Sequence, residues 1–157
     1  MNVDFSNYKV MVIGDLMIDN YIFGKSSRIS PEAPVPVIIP ETENTVLGGA
    51  GNVVNNLSNL GAQVSCMGVV GNDIWGEKLI SLLKAKSVNT NCIEVLNNYP
   101  TTVKKRIYSN GVQVARLDTE KIIDWSPSKV FLDMDFEKFD VIISVSYTHL
   151  RAHETQR

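Results

Sequence analysis

The sequence predicts an α/β protein with a doubly wound parallel sheet from which a small β-sheet protrudes. The apolar runs Lys9–Ile13 and Val64–Val70 each end at a glycine, and two helical patterns of apolar residues lie in the same half of the chain. Short apolar runs bounded by turns are typical of strands buried on both faces, and their alternation with helices is typical of doubly wound sheets. Two further segments break this alternation and predict the smaller sheet.

Length and composition are those of one soluble globular domain. The chain has 157 residues, of which 44% are hydrophobic and 20% are charged, and its formal net charge is −2. A net charge of −2 gives no overall positive potential that would attract nucleic acid. No apolar run approaches the roughly 20 residues of a membrane helix. The start of the chain does not resemble a secretory signal, so we expect a cytoplasmic protein with neither nucleic acid nor membrane as partner.

The first strand and the segment that follows it have opposite character. Lys9–Ile13 is apolar almost throughout and is predicted to be a central parallel strand. Residues 30–40 contain four prolines, which lack a backbone donor and therefore favour edge strands or loops. We interpret Tyr21–Pro40 as a flap that leaves the main sheet after Asp19 and returns before Gly48.

Two helices are predicted in the middle of the chain. Apolar residues recur at helical spacing from Ala50 to Leu60, and Gly61 stands where a C-terminal cap is expected. Asp73 is a predicted N-cap for the second helix. The inward residues of that helix are predicted to be Trp75, Leu79, Leu82 and Leu83.

The later part of the chain predicts one more turn and one more strand. Asp124–Ser128 is interpreted as a turn that leads into a helix, and Asp140–Ser144 as a buried strand. We expect Val141–Ile143 to lack its next neighbour and covering helices, which would leave an unpaired edge and favour aggregation.

Asn110-Gly111 lies between two segments rich in β-branched residues, which is a strong signal for a hairpin turn. Lys104 and Arg106 alternate onto one face of the first hairpin strand. A two-residue turn would put Arg116 opposite Lys105 on the other face, whereas a three-residue turn with a glycine bulge would bring the three cations together. The sequence leaves both registers open.

A glycine-rich turn precedes the first helix and predicts a ligand site. Gly48, Gly49 and Gly51 would let the backbone approach a ligand closely, and N–H groups at the helix start can point at its oxygens. Asp15 and Asp19 follow the first strand, where open α/β sheets place ligand groups. The pattern indicates a hydroxylated or phosphorylated ligand, although it also fits a tight turn without a ligand, and it matches neither a P-loop nor a full dinucleotide fingerprint.

The cysteines and histidines predict no metal site. Cys66 and Cys92 lie in apolar segments without metal-ligand spacing, which indicates buried free thiols. His149 and His153 are four residues apart, but no third ligand accompanies them.

Four segments together resemble the ribokinase-type (PfkB) sugar kinases, and more narrowly the D-glycero-β-D-manno-heptose 7-phosphate kinases of lipopolysaccharide precursor synthesis. The specific part is Arg-Ile-Ser-Pro-Glu-Ala-Pro-Val-Pro-Val at residues 28–37, which a generic ribokinase lacks. The other segments are Gly14–Asp19, Gly48–Val53 and Arg116–Asp118. The resemblance runs over residues 8–144 and implies a ribokinase-like fold.

The resemblance implies a site for a sugar phosphate beneath a lid. Lid segments at residues 20–45 and 100–118 would close over the sugar and support a homodimer. Lys104, Arg106 and Arg116 are candidates for binding the 7-phosphate or for a network within the lid. The other implied substrate contacts are Asp15, Asp19, Gly48, Gly49 and Asn52, with Glu32 and Ala33 on the lid.

The family reaction is transfer of the ATP γ-phosphoryl group to the anomeric hydroxyl, with Mg²⁺ and an aspartate base in a later Gly-x-Gly-Asp turn. No Gly-x-Gly-Asp occurs in this sequence. The resemblance therefore implies that residues 1–144 are the acceptor-binding half of the domain and that this chain alone has no kinase activity. Residues 145–157 resemble translated adapter or vector sequence and are expected to lie outside the domain.

Two other functions remain open from the sequence. The chain could be a non-catalytic module that binds sugar or dimerises, or, less in keeping with its motifs, a nucleotide-binding dehydrogenase domain.

Overall fold

A computed structural model describes residues 4–124, 134–146 and 150–151 of the chain. The predicted parallel sheet is formed by four strands in the order β5-β4-β1-β9. Its strands are β1 (Lys9–Gly14), β4 (Gln63–Gly71), β5 (Asn89–Leu96) and β9 (Val141–Val145). β1 has a neighbour on each side, so the prediction of a central strand is confirmed, whereas β5 is a strand that the sequence analysis did not identify.

Both predicted helices are confirmed as α1 (Ala50–Asn59) and α2 (Ile74–Lys84). Gly61 follows the end of α1 with φ +92°, and the Asp73 side chain accepts hydrogen bonds from the first-turn backbone of α2. The two helices pack on the same face of the sheet, since both continue the chain from one parallel strand to the next in the same direction. The main core lies between that face and the helices.

The second sheet is larger than the predicted flap and begins earlier. It consists of β2 (Leu16–Lys25), β3 (Ile39–Gly49), β6 (Thr102–Ser109) and β7 (Val112–Thr119), in the order β3-β2-β6-β7. The prediction that the chain leaves the main sheet after Asp19 is wrong, because β2 already starts at Leu16. Leu16 and Ile18 are buried in the main core, so the start of β2 anchors the second sheet to that core.

The proline-rich segment lies mainly in the loop between β2 and β3. An isolated bridge between Ile29 and Pro36 closes this loop, and Pro40 lies in β3, which is an edge strand of the second sheet. The expectation that the prolines exclude this segment from the interior of the main sheet is confirmed.

The hairpin combines features of the two registers that the sequence left open. Its turn has two residues, Asn110 and Gly111, with φ +51° and +83°. An irregularity leaves Val114 as an extra residue in β7, because Tyr108 pairs with Gln113 and Ile107 pairs with Ala115. Arg116 therefore pairs with Arg106 rather than with Lys105.

The last strand is partly exposed. β9 is an edge strand of the main sheet among the described residues, and Val141 and Ile142 are 42% and 48% exposed. The prediction of a buried strand is therefore corrected, since β1 is the one strand of the described chain that pairs with β9. β9 also continues one residue past Ser144.

Several predictions concern the parts of the chain beyond this core. β8 (Ile123–Asp124) and β10 (Leu150–Arg151) form a short parallel pair. The turn and helix predicted after Asp124 fall on residues 125–133, outside the described residues, as do His149 and His153. No helix in the described ranges is long and apolar enough to span a membrane.

The cysteines have the predicted character. Cys66 and Cys92 are both buried and free. Burial raises the pKa of the Cys66 thiol to about 12, so this thiol stays protonated at neutral pH.

Candidate functional site

The corner between β1 and α1 brings Asp15 against the glycine-rich turn. The backbone carbonyl of Asp15, at the carboxyl end of β1, accepts a hydrogen bond from the Ala50 N–H at 2.9 Å. Gly49 has φ +54°, and a Cβ at this position would lie 2.4 Å from the same carbonyl oxygen. Only glycine fits this contact, which ties the entry of α1 to the end of β1.

The start of α1 itself has no side-chain cap. At the carboxyl edge of a parallel sheet, the backbone N–H groups at the start of such a helix can donate hydrogen bonds to oxygen atoms of a ligand.

Asp19 lies within β2 rather than at the tip of the first strand. A Cβ on Gly48 would lie 2.5 Å from the Asp19 Oδ2 atom, so the glycine leaves room for the carboxylate beside β3. On its other side, Oδ1 accepts a hydrogen bond from the Arg106 Nη1 atom at 2.5 Å. Both side chains are 20% exposed, so this ion pair is accessible from solvent.

The predicted cations share one face of the second sheet. In register, Asp19 pairs with Lys104, and Arg106 pairs with Tyr21 on one side and Arg116 on the other. Paired residues in neighbouring strands point to the same face. Lys105 points to the opposite face, where its Nζ lies 5.7 Å from the centre of the Trp75 ring.

Carboxylates neutralise the other two cations on this face. Arg116 donates two hydrogen bonds to Asp118, at 2.5 and 2.8 Å. The Lys104 Nζ atom lies 3.4 Å from both Asp118 and Glu120. The hydrogen bonds from Arg116, followed by the nearby Lys104 charge, lower the pKa of Asp118 to about 2. Asp118 therefore keeps its charge at physiological pH.

Arg106 is held by Asp19 and by an aromatic ring. The hydrogen bond to Asp19 raises the pKa of Arg106 above its usual value. Its guanidinium carbon lies 5.2 Å from the centre of the Tyr21 ring, within the range of a cation–π contact. Tyr21 in turn stacks with Phe23 and Tyr108 on the same face.

The remaining predicted site residues lie apart from the Asp19–Arg106 pair. Asn52 is exposed in the first turn of α1 and lines a cavity of about 310 Å³ together with Thr45 and Lys86. Asp15 and Asp19 are not among the residues that line this cavity. Glu32 and Ala33 are exposed in the loop between β2 and β3. The structure thus brings Asp19, Gly48 and Arg106 together, and it brings Asp15 and Gly49 together.

The structure adds residues that the sequence analysis did not select. Asp118, Glu120 and Tyr21 all contact the predicted cations. The alternation of side chains along each strand predicts that Tyr21 shares a face with Asp19, but the pairing of distant strands is needed to bring Asp118 there.

Asn20 fixes the strands beneath this face. It is fully buried, and its Nδ2 donates to the side chains of Glu43 at 2.8 Å and Thr45 at 3.0 Å. These bonds join β2 to β3 next to Asp19. The Oδ1 atom of Asn20 has no hydrogen-bond partner in the described part of the chain.

A larger cavity lies at the other end of the main sheet. It has a volume of about 730 Å³, and Lys9, Ser65 and Asn89 line it at the starts of three parallel strands. Ligands of open α/β sheets bind at the carboxyl ends of the strands, so we assign the candidate site to the edge with Asp15 and Asp19. Within residues 4–124, 134–146 and 150–151, no three His, Cys, Asp or Glu side chains form a group that could hold a metal ion.

Comparison with known proteins gives concordant matches. The sequence model described as the pfkB family carbohydrate kinase matches residues 7–146. A curated protein named bifunctional protein HldE from Sulfurimonas denitrificans is 42% identical over 145 residues, which cover 89% of this chain and 30% of that protein. The protein of the same name from Helicobacter pylori is 50% identical over 112 residues, which cover 71% of this chain and 24% of the relative.

A solved structure carries the same fold. The ribokinase from Cryptococcus neoformans in complex with ADP aligns with a TM-score of 0.60 at 17% identity, over 87% of this chain and 42% of that chain. This likeness confirms the predicted ribokinase-like α/β fold. The chain spans about 30% of the length of the first curated relative.

Proposed function

Because this chain belongs to the pfkB family of carbohydrate kinases, we propose that it forms the sugar-binding half of a kinase for D-glycero-D-manno-heptose 7-phosphate. The whole enzyme would transfer the ATP γ-phosphoryl group to the anomeric hydroxyl, in the cytoplasmic synthesis of ADP-heptose for the lipopolysaccharide core. The segment Arg28–Val37 supports this substrate, since it resembles heptose 7-phosphate kinases rather than generic ribokinases.

The observation that carries the proposal is the face that combines Asp19 with Lys104, Arg106 and Arg116. A carboxylate is an acceptor for sugar hydroxyl groups, and guanidinium groups bind phosphate through paired hydrogen bonds. Asp19 lies beside Gly48 and contacts Arg106, so one small area offers groups for both ends of a sugar phosphate.

Asp15, Gly49 and Asn52 complete the proposed site from the side of α1. Glu32 and Ala33 are proposed to reach the sugar from the loop between β2 and β3 when the lid closes over it. The strands β2, β3, β6 and β7 form this lid.

The described residues do not fit the ATP and Mg²⁺ of the family reaction. The sequence lacks a Gly-x-Gly-Asp turn, and no cluster of metal-ligating side chains occurs in the described ranges. We therefore assign to this chain the binding and orientation of the acceptor, and no step that involves the nucleotide.

The lid is also the proposed contact for a homodimer of the whole enzyme. Val112, Val114 and Leu117 of β7 are 66%, 43% and 55% exposed, which is unusual for neighbouring apolar residues of one edge strand. Sedimentation of the whole enzyme should show a dimer, and a Val112→Asp variant that is still fully dimeric would speak against this contact.

Isothermal titration calorimetry on the folded chain tests the substrate. We expect binding of heptose 7-phosphate, weaker binding of ribose 5-phosphate and no binding of NAD. Asp19→Ala and Asn52→Ala should each weaken heptose 7-phosphate binding by about tenfold, as expected for loss of a hydrogen bond of roughly 1.5 kcal/mol. Glu77→Ala and Asn56→Ala, on exposed helix surfaces, serve as matched controls that keep the original affinity.

Three results would count against the proposal. A chain with native circular dichroism that does not bind heptose 7-phosphate is not the acceptor half of this kinase. Binding of NAD alone would favour a nucleotide-binding dehydrogenase domain. Turnover of ATP by the chain itself would contradict the division of labour proposed here.

A further inference from the structure

The Asp19 carboxylate is already engaged by a cation of the chain. Arg106 donates to its Oδ1 atom at 2.5 Å, and the backbone at Gly48 lies close to its Oδ2 atom. A sugar hydroxyl that donates to this carboxylate therefore competes with a charged guanidinium. Hydrogen bonds between charged groups are stronger than those from a neutral hydroxyl, so the hydroxyl alone competes poorly.

The charges on this face balance without a ligand. Lys104, Arg106 and Arg116 contribute three positive charges, and their carboxylate partners contribute three negative charges. These partners are Asp19, Asp118 and Glu120. An anion that binds here must take a cation from a carboxylate, and that carboxylate then needs a new donor.

Arg106 is the cation best placed for this exchange. It lies directly opposite Arg116 in the neighbouring strand. Like charges in this position repel each other unless each has a counter-charge, and an anion that takes Arg106 from Asp19 supplies that counter-charge in its place. Arg116 donates two hydrogen bonds to Asp118, whereas Arg106 donates one hydrogen bond to Asp19.

Resting on the proposed function, we infer that Arg106 is a specificity-determining residue that makes recognition of the sugar hydroxyls conditional on the phosphate. The phosphate group of the acceptor takes the Arg106 guanidinium, because it carries more negative charge than a carboxylate and accepts paired hydrogen bonds. The released Asp19 carboxylate then accepts hydrogen bonds from the sugar hydroxyls. A sugar without phosphate meets Asp19 still bound to Arg106.

This exchange makes the two halves of the ligand cooperative. Phosphate binding that releases Asp19 raises the affinity for hydroxyl groups, and by linkage hydroxyl binding at Asp19 raises the affinity for phosphate by the same factor. The cooperativity depends on Arg106 and Asp19 together, and it is lost when either charge is removed.

The test uses two separate ligands on the folded chain. Calorimetry with unphosphorylated heptose, with and without saturating inorganic phosphate, should show a roughly tenfold higher heptose affinity when phosphate is present, within the usual range of coupling between sites. In Arg106→Ala, heptose alone should bind as tightly as it does to the original chain with phosphate, the effect of phosphate should disappear, and heptose 7-phosphate should bind more weakly.

Controls separate this inference from the proposed function. Lys78→Ala, on α2, should behave like the original chain in all three titrations. Arg106→Gln removes the charge but keeps part of the aliphatic chain, and it should give the same result as Arg106→Ala. It replaces the alanine variant in the test if that variant does not fold. If heptose 7-phosphate binds but heptose affinity is unchanged by phosphate, the coupling is refuted and the proposed function stands. If heptose 7-phosphate does not bind, the proposed function itself fails.

Discussion

Arg116 lies directly opposite Arg106 across the antiparallel pair of β6 and β7. Two like charges in this position destabilise a sheet unless each has a counter-charge. Asp19 supplies one for Arg106 and Asp118 supplies one for Arg116, from β2 and β7 respectively. The pairing of the two arginines therefore depends on residues from three strands.

The first prediction concerns the titration of Asp118. Its pKa is lowered from 3.8 to about 2 by Arg116 and Lys104. The unfolded chain binds a proton at higher pH than the folded chain does, so Asp118 stabilises the fold above pH 4, and this contribution is lost as the pH falls towards 2. A carboxyl-carbon NMR titration should give a midpoint near 2, and Arg116→Ala should move it towards 3.8.

The Lys78→Ala variant is the control for this titration and should leave the midpoint in place. An Asp118 midpoint at the ordinary value in the original chain would mean that the ion pair with Arg116 does not persist in solution.

The second prediction concerns the space beside Asp19. A Cβ on Gly48 would lie 2.5 Å from Asp19 Oδ2 and 3.0 Å from Met17 Cγ, so Gly48→Ala should displace the carboxylate from its position beside Gly48. We expect Gly48→Ala to weaken heptose 7-phosphate binding by at least tenfold in calorimetry, because the displaced carboxylate loses roughly one charge-assisted hydrogen bond from a sugar hydroxyl.

Asn56→Ala is the control, because Asn56 is exposed on α1 and is not one of the proposed site residues. Equal effects of the two substitutions on binding would show that the space beside Asp19 has no special role.

The third prediction concerns the cap of α2. Asp73 accepts hydrogen bonds from the N–H groups of Trp75, Gly76 and Thr101, so it joins the start of the helix to the segment before β6. Asp73→Ala should lower the free energy of unfolding by about 1–2 kcal/mol in urea denaturation. Asp73→Ser should recover part of this loss, and Glu77→Ala should have little effect.

The same residue predicts a pH dependence. Burial raises the pKa of Asp73, but the three N–H donors outweigh burial and hold the pKa below 3.8. The difference in stability between the original chain and Asp73→Ala should therefore be full above pH 4 and shrink as the pH falls below it. A difference that does not change with pH would contradict this account of the cap.

Features that depend on neighbouring residues were predicted well. The apolar run of β1, the spacing of apolar residues in α1 and the cap at Asp73 each reflect local backbone preferences. The hairpin turn at Asn110-Gly111 is local in the same sense, since both residues adopt positive φ angles.

Features that depend on pairing between distant strands were predicted poorly. The sequence analysis places the start of the flap after Asp19, although β2 starts at Leu16 and its residues Leu16 and Ile18 are buried in the core between sheet and helices. The extra residue Val114 decides whether Arg116 faces Arg106 or Lys105, and nothing in its neighbours along the sequence marks it as a bulge.

By itself, the sequence determined the family, the main elements and the residue types available for a sugar phosphate, because these follow from local patterns and from segments such as Arg28–Val37. The tertiary structure alone decided that Arg106 contacts Asp19 and that Arg116 faces Arg106. Asp19 and Arg106 are 87 residues apart in the sequence. Their contact depends on the register of paired strands, where a shift of one residue turns a side chain to the opposite face.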